Sequence, residues 1–153
     1  MPVELRKTIR QAELADLPKL AAGAAEFYAA SEFLTSFDIG RFCELWASLL
    51  RGPNGVIFIE EGDDGLINGA LGGMIHRDIY GEALIAEEFF WFMRPDTRGG
   101  GVRVYRAFEA WAKARGAVSM QMVHLLDSMP EKVARFYHAV GFKAAETRYI
   151  KTL

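Results

Sequence analysis

The sequence predicts an α+β protein (α/β in looser usage), with a mixed, mostly antiparallel central sheet flanked by helices. Three observations carry that prediction. Three strand-like runs follow one another with only turns between them, which suggests antiparallel pairing. Two strand–helix–strand units come next, which suggests crossovers onto the same sheet. Of the 153 residues, 51% are hydrophobic and 25% charged, the balance of a folded globular chain rather than a disordered one. A chain of this length is expected to form a single domain, residues 1–153, and to bury about two-thirds of its unfolded surface without a staple.

Taken in order, Lys7 to Arg10 reads as a short first strand. Asp16 precedes Leu17-Pro18 as an N-cap followed by proline in the first turn. Leu17, Leu20, Ala21, Ala24 and Tyr28 then recur at helical spacing, giving a helix over Leu17 to Ala30. Asp38 is a second N-cap, Ile39 to Leu50 a second amphipathic helix, and Gly52-Pro53 its stop. VIFIE (56–60) and INGALGGMIH (67–76) flank a glycine- and aspartate-rich turn as a hairpin. ALIAEEFFWFMR (83–94) is a long aromatic strand suited to the sheet centre. A helix carrying Val104, Tyr105, Phe108 and Trp111 follows and closes at Gly116, and Val118 to Leu125 is a further strand. Ser128-Met-Pro-Glu131 fits a capping box, and Val133, Phe136, Tyr137 and Val140 give the last helix, closed by Gly141. Ala144 to Leu153 is expected as a final strand.

The single cysteine, Cys43, excludes an intramolecular disulfide and argues against a cysteine-based zinc site. The net charge of -2 lacks the basic excess of a nucleic-acid binder. No uncharged stretch reaches the ~20 residues that cross a bilayer, and the first residues carry charges throughout instead of a leader's apolar run. A cytoplasmic location with no membrane partner is the expectation.

The segment that points to chemistry is RGGGVRVYR, Arg98 to Arg106, between the long strand and a helix. Three successive glycines leave backbone N–H groups uncovered, and the helix start adds unpaired donors and the positive end of its dipole. Such a turn suits an anion. Arg94, Arg98, Arg103 and Arg106 gather cations there in an acidic chain, which suggests a discrete anionic ligand. A Walker loop would need a lysine that is absent, and a dinucleotide GxGxxG would need glycine where Val104 stands. A plain turn is the competing reading.

The segment resembles the signature of the GNAT-type N-acetyltransferases, [Q/R]-x-x-G-x-[G/A] between a central strand and a helix. Arg98 to Gly101 supplies its first four positions, with Pro95 at the strand-to-loop junction. FYHAVGF (136–142) reproduces the family's FYxxxGF run, IRQAELADLPKL is similar to its opening strand and helix, and EEFFWF and RGGG are similar to small phage-encoded members. The resemblance spans nearly the whole chain. Arg103 departs from it, standing where the family prefers Gly or Ala, and the chain after Phe142 is short for the family's closing hairpin. Those departures favour the alternative of a non-catalytic module that binds coenzyme A.

The resemblance implies acetyl-coenzyme A as donor and a small-molecule or protein amine as acceptor. It also implies a pyrophosphate site at Arg98, Gly99, Gly100, Gly101, Val102 and Arg103. Backbone amides of Phe92, Met93 and Arg94 would meet the thioester oxygen or the pantetheine arm. Tyr137 would be the general acid, although periodicity alone makes it a core tyrosine. Glu87 and Glu88 interrupt an apolar strand; Glu88 is favoured as base, with Glu87 or water as alternatives. Phe27, Tyr28, Phe33 and Phe37 would cover the acceptor. His76, His124, His138 and Cys43 read as structural. A homodimer is a family-level expectation.

Overall fold

The structure is a computed structural model and describes residues 7–30, 36–97, 100–125 and 129–153. Five strands form one sheet in chain order: β1 (Lys7–Gln11), β2 (Gly55–Gly62), β3 (Ile67–Arg77), β4 (Leu84–Met93) and β5 (Ser119–Gln121). The first three pairings are antiparallel and the last, β4 with β5, is parallel. The four helices are α1 (Leu17–Ala29), α2 (Ile39–Arg51), α3 (Gly101–Ala114) and α4 (Pro130–Ala139).

Alternation along β2 explains the two layers. Ile57 and Ile59 point to one face, where Leu20 of α1 and Trp46 of α2 pack with Ala70 and Phe92. Val56 and Phe58 point to the other, against Val104, Tyr105 and Phe108 of α3. Burying both faces is what fixes the register of the central strands.

Several local expectations needed correction. Asp16 does not cap α1. A 3-10 turn, Leu14–Asp16, precedes the helix, and the Asp16 carboxylate accepts the Glu13 N–H at 2.7 Å and pairs with Arg10. A strong cation next door drew the carboxylate away from the helix end. Asp38 does cap α2, accepting the Arg41 N–H at 2.7 Å. Ser128 lies outside the described residues; Met129 stands at the N-cap of α4 with a left-handed φ of 44° and no side-chain cap.

Two strands fall short. The expected Val118–Leu125 strand keeps only Ser119–Gln121, because β5 pairs with Ile85, Ala86 and Glu87 and then parts from β4. The expected final strand from Ala144 to Leu153 does not form: residues 143–153 carry no strand, and Tyr149, Ile150 and Leu153 are exposed. Alternating apolar residues fold as a strand only where an edge accepts them, and none pairs here. Among the described residues no helix is long and apolar enough to cross a membrane.

Candidate active site

The parting of β4 from β5 makes the site. On β4, Gly72 pairs with Phe90 but Gly73 pairs with Glu88, so Phe89 is an extra residue in a bulge. The bulge falls just after the two acidic residues, which strand alternation sets on opposite faces. Glu87 meets His76 of β3 at 2.8 Å. The Arg77 carbonyl first, and Glu87 after it, hold His76 above its ordinary pKa.

Glu88 turns the other way. It is 3% exposed, and its Oε2 accepts the Val123 N–H at 2.8 Å. Burial pushes its carboxyl from the ordinary 4.5 up to about 7, although the Val123 amide pulls down and Glu87 adds to the rise. The Val123 carbonyl accepts the Tyr137 hydroxyl at 2.6 Å. Val123, a residue beyond the end of β5, therefore ties Glu88 to Tyr137 through its N–H and its carbonyl. The Tyr137 phenol is also raised, first by burial and then by the nearby Glu88 charge, so it stays protonated at neutral pH. Both groups open onto a cleft of about 550 Å³ walled by aromatic side chains of α1, α2 and β4.

Among the described residues, the three expected amides of β4 do not all face the same way. The Arg94 N–H donates to the Asn68 carbonyl at 2.7 Å, which withdraws it as an oxyanion donor. Amides alternate along an antiparallel strand, so the Phe92 N–H shares that side and the Met93 N–H faces the gap left by β5. The Trp91 indole N–H is buried without a partner among the described residues. A side chain placed on Gly101 would lie 3.5 Å from that nitrogen, so this free donor sits beside the start of α3.

The glycine turn is less simple than its sequence. Arg98 and Gly99 lie outside the described residues. Gly100 and Gly101 open α3, with Val102 and Arg103 in its first turn. Beneath Gly100 lies Glu60, fully buried and in phase with Val56 and Phe58 on β2. A Cβ on Gly100 would fall 1.7 Å from Glu60 Oε2, so this glycine is required by the carboxylate under it. Arg103 Nη2 lies 3.1 Å from Glu60 Oε1 and Lys7 Nζ 3.7 Å away, in ion-pair range but without hydrogen-bond alignment. Arg103 thus turns back to β2. Arg94 keeps a loose pair with Asp96 at 3.8 Å.

Sequence reasoning missed Glu60, Val123 and the Trp91 N–H. Glu60 had a signal: an acidic residue in phase with the buried positions of an apolar run. Val123 acts through its backbone, which leaves no mark in sequence. Phe27, Tyr28 and Phe37 do line the cleft, while Phe33 lies outside the described residues. His124 is held by the Pro130 carbonyl at 2.7 Å, and Cys43 packs toward the Leu17 carbonyl.

No protein-family model and no curated protein sequence matches the chain. Solved structures do match its fold. A Pyrococcus furiosus protein described as an acetyl transferase superposes with a TM-score of 0.77 at 24% identity, over 97% of this chain and 100% of that one. An aminoglycoside N-acetyltransferase, AAC(6')-Iy in complex with CoA, gives 0.76 at 16% identity, over 100% and 98%. A transcriptional regulator from Bacillus halodurans gives 0.75 at 19% identity, over 97% and 100%. The chain has the fold of these proteins, and a shared fold does not by itself assign a reaction.

Proposed function

We propose that the protein is a GNAT-type N-acetyltransferase, one domain that moves an acetyl group from acetyl-coenzyme A to a primary amine. The observation that carries this reading is the Glu88–Val123–Tyr137 connection at the mouth of an apolar cleft. A carboxyl near 7 is a base matched to neutral pH, and a phenol that keeps its proton there has one to give.

The residues suit the donor. The start of α3 at Gly100 and Gly101 would hold the pyrophosphate, with Arg98 and Gly99 before it and Val102 and Arg103 after it. The Trp91 indole beside Gly101, without a partner among the described residues, is a donor that an acceptor could meet. The Met93 N–H would serve the oxyanion or the pantetheine arm. Acetyl-coenzyme A supplies an acyl group on a thioester whose sulfur leaves as a thiolate. Glu88 takes a proton from the acceptor ammonium. The freed nitrogen would then bond to the acyl carbon as the carbon–sulfur bond breaks; Tyr137 would give its proton to the departing sulfur, and the nitrogen's surplus proton would return to the Tyr137 oxygen, leaving an amide, a thiol and a protonated Glu88.

The Pyrococcus furiosus and aminoglycoside enzymes support the same chemistry at the level of fold. A second reading, a module that binds coenzyme A without turnover, has one observation in its favour: residues 143–153 form no strand that would wall the acceptor side. Calorimetric titration with coenzyme A, paired with thiol release from acetyl-coenzyme A and an amine panel, separates the two. Binding with turnover is the expected result. Binding without turnover selects the module, and no binding removes both.

A further inference from the structure

The cleft says what kind of acceptor it takes. Among the described residues, Glu88 is the one charged side chain of its lining. The wall opposite is a chain of rings: Tyr28 to Phe37 at 5.5 Å, Phe37 to Phe42 at 5.5 Å, and Phe42 to Phe90 at 5.7 Å between centroids. Trp46 stands edge-on to Phe90 at 5.1 Å.

We propose that the acceptor is a monoamine with an aromatic body, an arylalkylamine, rather than a polyamine or an aminosugar. The proposal rests on the acetyltransferase reading. One carboxylate matches one ammonium. Each further ammonium or hydroxyl of a polycation would lose its water with no partner among the described lining residues to receive it, which is costly in an apolar site. An aryl group gains instead, by burying apolar area and by edge-to-face packing with the ring wall. Room is sufficient: a void of roughly 150 Å³ holds benzene. About 550 Å³ therefore leaves space for a ring on a short linker beside the donor's arm. With its nitrogen at Glu88, such an amine lays its ring against Phe42 and Phe90.

The test uses the intact protein with phenethylamine, ethylamine, spermidine and kanamycin. Calorimetry measures amine binding in the presence of saturating coenzyme A, and thiol release measures turnover with acetyl-coenzyme A. Phenethylamine is expected to exceed ethylamine by about thirtyfold in both Kd and kcat/KM, the gain lying in KM. Spermidine and kanamycin are expected to do no better than ethylamine. Phe42→Glu should cut the phenethylamine advantage about tenfold, and Leu45→Glu on the exposed lip of the same helix should cut it less, melting curves confirming both folds. If coenzyme A binds but a polycation is preferred, or phenethylamine equals ethylamine, or folded Phe42→Glu and Leu45→Glu variants keep the full advantage, the acceptor proposal is overturned and acetyl transfer stands. Absence of both coenzyme A binding and thiol release overturns the underlying reading and this one with it.

Discussion

Glu60 and Glu88 are both buried glutamates on neighbouring parts of one sheet, yet their surroundings are opposite. Glu60 lies under the start of α3 with two cations in range, Arg103 and Lys7. Those cations and the start of the helix are what surround it. Glu88 has one amide N–H from Val123, an aromatic cleft before it and Glu87 beside it in sequence. That environment favours the proton. Burial is common to both, so burial does not assign a role. The neighbours decide which carboxylate is structural and which can exchange a proton near neutrality.

The sharpest way to break this contrast is to remove each charge. Glu88→Gln should lower turnover by about 10²–10⁴-fold while coenzyme A still binds, as expected for loss of a general base. The pH profile should lose its limb near 7. Glu60→Gln should leave that limb in place. Identical pH profiles for the two variants would erase the distinction.

Stability should report the same difference. The folded pKa of Glu88 is raised, so the folded state binds a proton more tightly than the unfolded chain. The stability this contributes is present below the ordinary 4.5 and is lost as pH rises through about 7. Over that window the loss is about 3 kcal/mol. Denaturant melts of the parent and Glu88→Gln at pH 5 and pH 8 should show the parent losing more, by up to that amount. Equal losses would return Glu88 to an ordinary carboxylate.

How much of this was legible in the sequence differs between the two sites. The Glu88 site was readable because acidic residues in an apolar strand stand out, and because Tyr137 sits in a recognisable run. Its mechanism of assembly was not, since the link runs through the Val123 backbone and depends on a bulge at Phe89. The hairpin β2–β3, the long β4 and the four helices followed from periodicity and turn residues. The missing final strand did not: whether residues 144–153 pair depends on an available edge, which no local pattern encodes. The Asp16 cap failed because a competitor six residues away, Arg10, holds the carboxylate. The glycine turn was read for its open amides, whereas Gly100 answers equally to the Glu60 carboxylate beneath it.

That last contact gives a test on the structural side. Gly100→Ala drives a methyl into Glu60 and should destabilise the fold by about 1–3 kcal/mol. Glu60→Ala makes room for it, so the double variant should lose less than the two single losses added, a coupling readable in a double-mutant cycle. Strict additivity would mean that the two residues do not share this space.

The smallest effect concerns Arg103, which serves one glutamate or one ligand. Its guanidinium is half-exposed and lies 3.1 Å from Glu60. In that position its charge is shared between a buried carboxylate and any phosphate at the start of α3. Glu60→Gln removes the competing charge, leaves Arg103 free to swing outward and takes a negative charge from beneath an anion site. Coenzyme A should then bind about two- to fivefold more tightly, on the scale of 0.3–1 kcal/mol for a charge near a helix terminus. Arg103→Ala in the Glu60→Gln background should undo that gain, whereas the same change in the parent should cost little binding. Pantetheine, which lacks the pyrophosphate, should respond to none of these changes. Calorimetry with both ligands on the four proteins decides. If Arg103→Ala weakens coenzyme A equally in both backgrounds, the arginine reaches the phosphates regardless of Glu60. The carboxylate would then be a passive filler under Gly100, and no longer the counterpart to Glu88 that its ion pairs make it.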